Sequence, residues 1–388
     1  MPYKEKNKKI LINKNEYEIF CLIKEGMLGS CTHLMDKKEI INIIKEKKYK
    51  NEFLPYSFAF SPSELNNYEI INDIKNGQTL DLICNKKHVG TLHVKNKFNF
   101  DGDTQSIFSL NYCFLDPLKR FYLAGDFEIF DSNIQKIKQE FINHKNNINA
   151  QKITAIVSSL DPLHRAYEKL FRWTIDKADL IVIFLTESND EHGLDFDLKR
   201  KCLDTLIQNY LPKDKIFVFP LKNIDIFYEY LNPELEGIIA KNLFCNKIVL
   251  GQNHTGLGVY YDTNQAKSIF DNIYDELGLD IVILPEFVFC NICKTSVSTR
   301  SCPHGYHHHI KFHNNSLKEL FRLGIIPPTI FIRKEISAII LANMFPNRFK
   351  NLQKIYDDLF PNSGILEQKN NNDFYEDLLK LYQMSYMV

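Results

Sequence analysis

Thr154-Ala155-Ile156-Val157-Ser158-Ser159-Leu160-Asp161-Pro162-Leu163-His164-Arg165-Ala166-Tyr167 is the stretch on which the fold turns. The β-branched run Ile153 to Val157 suits a buried parallel strand, and Ser158 and Ser159 can turn. Pro162 fits the first turn of a helix expected over 163–177. Unpaired N–H groups at such a helix start favour an anion, so this strand, turn and helix are expected to bind nucleotide phosphates.

Outward from it, the pattern alternates. A strand is expected at Leu180 to Leu185, a helix at Phe196 to Tyr210, a strand at Lys215 to Phe219, a helix at 233–242 and a strand at Lys247 to Leu250. Alternation of this kind predicts an α/β fold with a doubly wound parallel sheet. Ligands on such sheets sit beyond the C-terminal strand ends, which puts Ser158–Tyr167 on one rim with the turn Gly251-Gln252-Asn253-His254-Thr255-Gly256. Residues 1–150 read differently: short β-rich runs, such as Leu80 to Cys84 and His88 to Val94, and a helix over Lys37 to Lys48 predict a small mixed-β domain. Ser132 to Asn149 reads as a linking helix. Beyond 315, helices are expected at Ser316 to Leu323 and Lys334 to Met344, then a polar, Asn-rich extension to Val388.

The 388 residues are 44% hydrophobic and 25% charged, enough for two or three domains with their own cores. Forty-eight basic and 48 acidic residues cancel, which argues against a nucleic-acid partner or an anionic membrane surface. Ile10-Leu11-Ile12 is too short for the core of a signal peptide, and no apolar run approaches the ~20 residues of a membrane span. A soluble, cytoplasmic protein is expected.

Nine cysteines, mostly scattered through apolar segments, read as reduced thiols and one local cluster. The cluster is Cys290-Asn291-Ile292-Cys293 followed by Cys302-Pro303-His304-Gly305-Tyr306-His307-His308-His309. Cysteines at C-x2-C spacing with a later Cys and His make a tetrahedral Cys3His set, the closed arrangement of structural zinc. Cys290, Cys293, Cys302 and His307 are the expected ligands, with His308 next in order and His304 after it.

In their order these motifs resemble those of the sulfate adenylyltransferase (ATP sulfurylase) family, of the prokaryotic type without a fused kinase. Gly26 to Met35 stands where the family has a Gly-x-Phe-Ser-Pro-Leu-x-Gly-Phe-Met stretch, and Asp161-Pro162-Leu163-His164-Arg165-Ala166-Tyr167 matches its Asn-Pro-x-His-Arg-Ala-His signature. Arg200 to Asp214 matches the following helix and turn, and Gly251-Gln252-Asn253-His254-Thr255-Gly256 its Gly-Arg-Asp-His-Ala-Gly turn. The resemblance implies three segments. These are a PUA-like N-terminal domain (1–150), a nucleotidylyltransferase (HUP-like) domain with a zinc knuckle (151–315), and a C-terminal helical segment and extension (316–388).

It also implies an activity: ATP, as its Mg2+ complex, reacts with sulfate to give adenylyl sulfate and pyrophosphate. His164 would clamp phosphates, and Ser159 and Asp161 would lie about the α-phosphate or acceptor. Ser158, Arg165, Tyr167, Gly251, Gln252, Asn253 and His254 would bind nucleotide, and Thr255 would lie near the acceptor. Homo-oligomers are common in the family. Ser158 and Leu160 occupy the positions of the sulfate-contacting Gln and Arg, and Asp161 replaces an Asn. Gln252 replaces another Arg, and the Ser-Gly-Thr-Lys-x-Arg loop reads His313-Asn314-Asn315-Ser316-Leu317-Lys318. With arginines replaced, transfer to a less anionic acceptor, or nucleotide binding without turnover, stand as alternatives.

Overall fold

The structure is a computed structural model that describes residues 7–61, 65–99, 107–109, 121–188, 190, 192–228, 232–251, 275–360 and 368–384. By its internal contacts the chain divides into two units. Met1–Ala150, Lys222–Ile248 and Thr255–Ile281 form the first, and Gln151–Leu221, Val249–His254 and Val282–Val388 form the second.

In the first unit a four-stranded sheet is ordered Lys8–Leu11, Thr79–Cys84, Lys87–Asn99, Phe121–Ile129. The first pair is parallel and the other two antiparallel. Asn85 and Lys86, with φ of 48° and 65°, form the two-residue turn of the central hairpin, the backbone that matches strand twist. Helix Lys14–Lys24, which the sequence reading misses, begins with a capping box in which Asn13 and Glu16 bond each other's backbone N–H. Helices Lys37–Glu46 and Asn133–Asn147 form where they were read.

The second unit carries the alternating pattern. Strand β1 (Ile153–Ser158) leads to α1 (Arg165–Ile175), β2 (Leu180–Thr186), α2 (Phe196–Tyr210) and β3 (Ile216–Leu221). With β4 (Lys247–Gly251) and β5 (Asp280–Leu284), the sheet is ordered β3-β2-β1-β4-β5. β1 pairs with β2 and β2 with β3 in parallel register. Every residue of β2 is buried, as befits a strand covered on both faces. The order reverses between β1 and β4, so the crevice that binds ligands in this architecture opens beyond Ser158 and Gly251. β5 was not foreseen.

Three short strands follow, β6 (Phe287–Cys290), β7 (Thr295–Ser298) and β8 (His309–Lys311), in an antiparallel sheet ordered β7-β6-β8. Helices α3 (Asn314–Arg322), α4 (Lys334–Met344), α5 (Leu352–Leu359) and α6 (Asn371–Met384) come after them, and the helix read at 233–242 forms as Asn232–Asn242 in the first unit.

Two expectations change here. Residues 316–388 do not stand apart, because Leu317, Phe321, Ile336, Ile340 and Tyr375 join Ile156, Phe171, Ile183 and Leu203 in one apolar core. The Asn-rich stretch contains helices α5 and α6, whose Tyr356 and Phe374 form a small cluster with Phe360. Among the described residues no helix is long and apolar enough to cross a membrane.

Candidate functional site

The turn after β1 departs from the simplest reading of its proline. Pro162 follows a cis Asp161–Pro162 bond and lies before the helix, whose N-cap is His164. Ser158 Oγ accepts the N–H of Leu160 at 3.2 Å, and Leu160 takes a φ of +50° with its side chain fully buried in the core. A leucine in this conformation costs on the order of 1 kcal/mol, offset by the apolar surface it removes from water. Leu160 therefore points into the core and presents no charge to the crevice. Ser159, the next residue after β1's end, is half-buried.

His164 is buried, stacked on Tyr167 (centroids 4.3 Å apart, 22° between planes) and on Phe312 (5.2 Å, 27°). Its Nε2 lies 2.9 Å from Oδ1 of Asn314, the first residue of α3. Burial pushes its pKa down to about 4, with the Asn314 contact only partly opposing that, so at neutral pH the ring is uncharged. With Nε2–H donated to Asn314, Nδ1 is left as a buried polar atom without a partner, an arrangement that costs about 1–3 kcal/mol unless a ligand completes it.

Asp161 is buried with both oxygens occupied. Oδ1 accepts the Leu194 N–H at 3.1 Å, and Oδ2 lies 3.3 Å from Lys318 Nζ. The same ammonium reaches Asp190 Oδ2 at 2.5 Å, and Asp190 Oδ1 accepts the His192 N–H at 2.9 Å. A second buried lysine, Lys199 on α2, donates to Thr186 O at 3.0 Å and Ser188 Oγ at 2.9 Å. Gly193 closes this loop, for a Cβ there would stand 2.4 Å from that of Ser188 and 3.0 Å from Asp161 Oδ2. A cleft of about 250 Å³ adjoins the pair, lined by Asp190, His192, Asn315, Lys318, Glu319 and Arg322.

Arg165 has a different setting from the one expected. Its guanidinium donates to Thr329 O at 3.2 Å and approaches Glu168 at 3.4 Å, and its N–H donates to Phe331 O. Glu168 is the hub, receiving Arg333 through two bonds of 2.7 and 2.8 Å and Arg172 at 3.1 Å. Burial opposes its ionisation, but Arg333 above all, then Arg165 and Arg172, hold it below the usual carboxylate range. Arg333 also lies 3.4 Å above the ring centre of Tyr210. Arg165 thus fastens α1 to the segment before α4. Gly251 ends β4, while Gln252, Asn253, His254 and Thr255 lie outside the described residues.

The cysteine cluster forms, with one change of ligand. Sγ of Cys290, Cys293 and Cys302 lie 3.4, 3.3 and 3.5 Å from Nδ1 of His304, and these four donor atoms all fall within 4.8 Å of one another. His307, the expected fourth ligand, is exposed, its ring against that of His308 at 4.0 Å. The cause is local: Cys302-Pro303-His304 turns back onto the sulfurs at once, and Tyr306–His308 forms a separate single turn. Tetrahedral bonds of about 2.3 Å to sulfur and 2.05 Å to nitrogen require S···S near 3.8 Å and S···N near 3.6 Å. The observed Cys293–Cys302 separation is 3.9 Å, so the set fits a small dication. Burial opposes ionisation of Cys290, yet the N–H groups of Cys293 and Ile292 outweigh it and bring the thiol down to about 6. Cys293 is pushed up to about 11 by burial and then by its sulfur neighbours. A dication would relieve that conflict.

Comparison with known proteins gives a consistent likeness. The sequence profile of the ATP-sulfurylase family matches residues 132–343, more than half of the chain. A sulfate adenylyltransferase of Cenarchaeum symbiosum is 30% identical over 200 residues, covering 50% of this chain and 52% of that protein. Those of Chloroflexus aurantiacus and Carboxydothermus hydrogenoformans are 22% and 23% identical over 355 residues, covering 85% and 86% of this chain and 90% and 91% of those proteins. Among solved structures the hexameric APS kinase from Thiobacillus denitrificans has a similar fold, with a TM-score of 0.67 at 14% identity. That match covers 88% of this chain and 64% of the other.

Proposed function

This chain belongs to the ATP-sulfurylase family, and on that premise we propose that it transfers the adenylyl group of magnesium-bound ATP to sulfate. A sulfate oxygen attacks the α-phosphorus, the bond to the bridging oxygen breaks, and pyrophosphate leaves. The observation that carries this reading is the unpartnered Nδ1 of His164, buried at the N-cap of α1 beyond the end of β1, where the strand order reverses. Asn314 can offer Oδ1 or its amide N–H groups. When the amide turns over, Nε2 accepts and the neutral ring presents Nδ1–H to a phosphate oxygen. Ser158, Ser159 and Tyr167 border the same turn, and Gln252 to Thr255 would complete the rim.

Zinc is the metal we assign to Cys290, Cys293, Cys302 and His304. With four protein ligands it would be structural and would hold the β6–β7 knuckle. Residues 1–150 are read as a PUA-like domain, and the protein as cytoplasmic and homo-oligomeric. A second reading, transfer to a less anionic acceptor, is favoured by the burial of Leu160 where the family has arginine.

Purified protein supplied with ATP and sulfate should release pyrophosphate in proportion to sulfate, with a loss of about a hundredfold or more in His164→Ala. Release that ignores sulfate, or survives that substitution, would count against this assignment.

A further inference from the structure

Lys318 is the buried cation of the cleft, and its surroundings are unequal. Asp161, on one side, is buried, tied to the Leu194 N–H and hemmed by Gly193. Asp190, on the other, holds the shorter contact, 2.5 Å against 3.3 Å, yet its side chain is 39% exposed and stands at the wall of the cleft. Asp161 can leave the ammonium only by unpacking the turn. Asp190 can leave by turning into water, where its carboxylate is solvated at little cost.

We propose that Lys318 is the anchor of an oxyanion-binding site, and that Asp190 is an internal competitor which occupies the anion's place until a tetrahedral oxyanion displaces it. The ligand class is a small inorganic oxyanion or the phosphate end of a nucleotide, with Asn315, His192 and the Glu319–Arg322 ion pair as the remaining polar walls. The exchange conserves the hydrogen bond on Lys318, for one anionic oxygen replaces another. Because one carboxylate already neutralises the ammonium from behind, the second must leave before a dianion is favoured there. The apparent affinity is then the intrinsic one reduced by the fraction of molecules in which Asp190 has swung away. Asp190 is thus a specificity-determining residue that sets how much oxyanion the site demands. This inference rests on the adenylyl-transfer reading for its biological meaning, but its measurement does not depend on turnover.

The experiment is calorimetric titration of the full-length protein with inorganic sulfate and, separately, with pyrophosphate, for wild type, Asp190→Asn and Asp190→Asn combined with Lys318→Met. Asp190→Asn keeps the shape and removes the charge, so at least one oxyanion should bind tenfold tighter or better, and the gain should vanish in the double variant. A gain confined to sulfate assigns the site to the acceptor, and one confined to pyrophosphate assigns it to the leaving group. Unchanged affinity for both, or a gain that survives loss of Lys318, overturns the proposal. Asp190→Ala, measured in parallel with its melting temperature, guards against an effect of misfolding. If wild type releases no pyrophosphate from ATP and sulfate, the reaction assignment fails while these titrations still decide the site.

Discussion

In the cysteine knuckle every donor comes from the short run between Cys290 and His304, and the four atoms converge within 4.8 Å. At the turn after β1 the groups that meet are scattered: His164 finds Asn314, Asp161 finds Lys318, and Glu168 finds Arg333. A metal set of this kind is specified by spacing within one loop. An anion pocket is specified by which charges distant segments deliver, and here Asn314, Lys318 and Arg333 come from segments some 150 residues away. The first kind of site is nearly all-or-none; the second can be retuned one charge at a time.

The largest effect should come from the knuckle. Structural zinc in such sites contributes on the order of 10 kcal/mol of binding free energy, so His304→Ala should lose the bound metal while His307→Ala keeps it. Zinc content per chain after desalting measures this, and equal retention in both variants would break the contrast. Next comes Glu168, whose loss leaves Arg333, Arg165 and Arg172 without their shared carboxylate. Glu168→Gln should cost roughly 3–5 kcal/mol in denaturant unfolding, the range for breaking a buried pair, and a cost below 1 kcal/mol would make the cluster ornamental.

A smaller, pH-dependent effect belongs to His164. Its folded pKa of about 4 lies below its unfolded value near 6.5. Between those values the unfolded chain binds the extra proton, so stability is full above about pH 6.5 and falls as pH drops toward 4, by roughly 3 kcal/mol. In His164→Phe that share of the acid loss should disappear, which stability curves at several pH values would reveal. Smallest is Asn314→Leu, which removes one hydrogen bond to a buried ring and should cost about 1 kcal/mol of stability. It should reduce nucleotide affinity as well, and an unchanged affinity would separate Asn314 from the proposed role of His164.

How much of this the sequence disclosed follows the same contrast. Regular strands and helices of the second unit were legible because their apolar residues recur at strand and helix periods; α2 falls on Phe196–Tyr210 as read. Three cysteine ligands were legible from spacing, but the histidine was not, since a run of four in six residues leaves the choice to the local turn. Asp190 sat in an unremarkable polar loop and gave no signal. Glu168, Lys199 and Lys318 do carry one: each lies on the apolar stripe of its helix, three residues before Phe171, Cys202 and Phe321 respectively. A charge at such a position must find a buried partner, though periodicity alone cannot name it. Lys14–Lys24 is hard to read because charges interrupt its apolar run, although Asn13 and Glu16 carry the signal of a helix start.

The assignment to adenylyl transfer is tested most directly in reverse, by giving the protein adenylyl sulfate and pyrophosphate and following ATP. A transferase that passes through one transition state must run both ways. The account predicts ATP formation that needs both substrates and is lost in His164→Ala while the fold persists. No ATP from wild type, under conditions where nucleotide binding is measurable, would contradict it and leave the turn as a binding site without transfer.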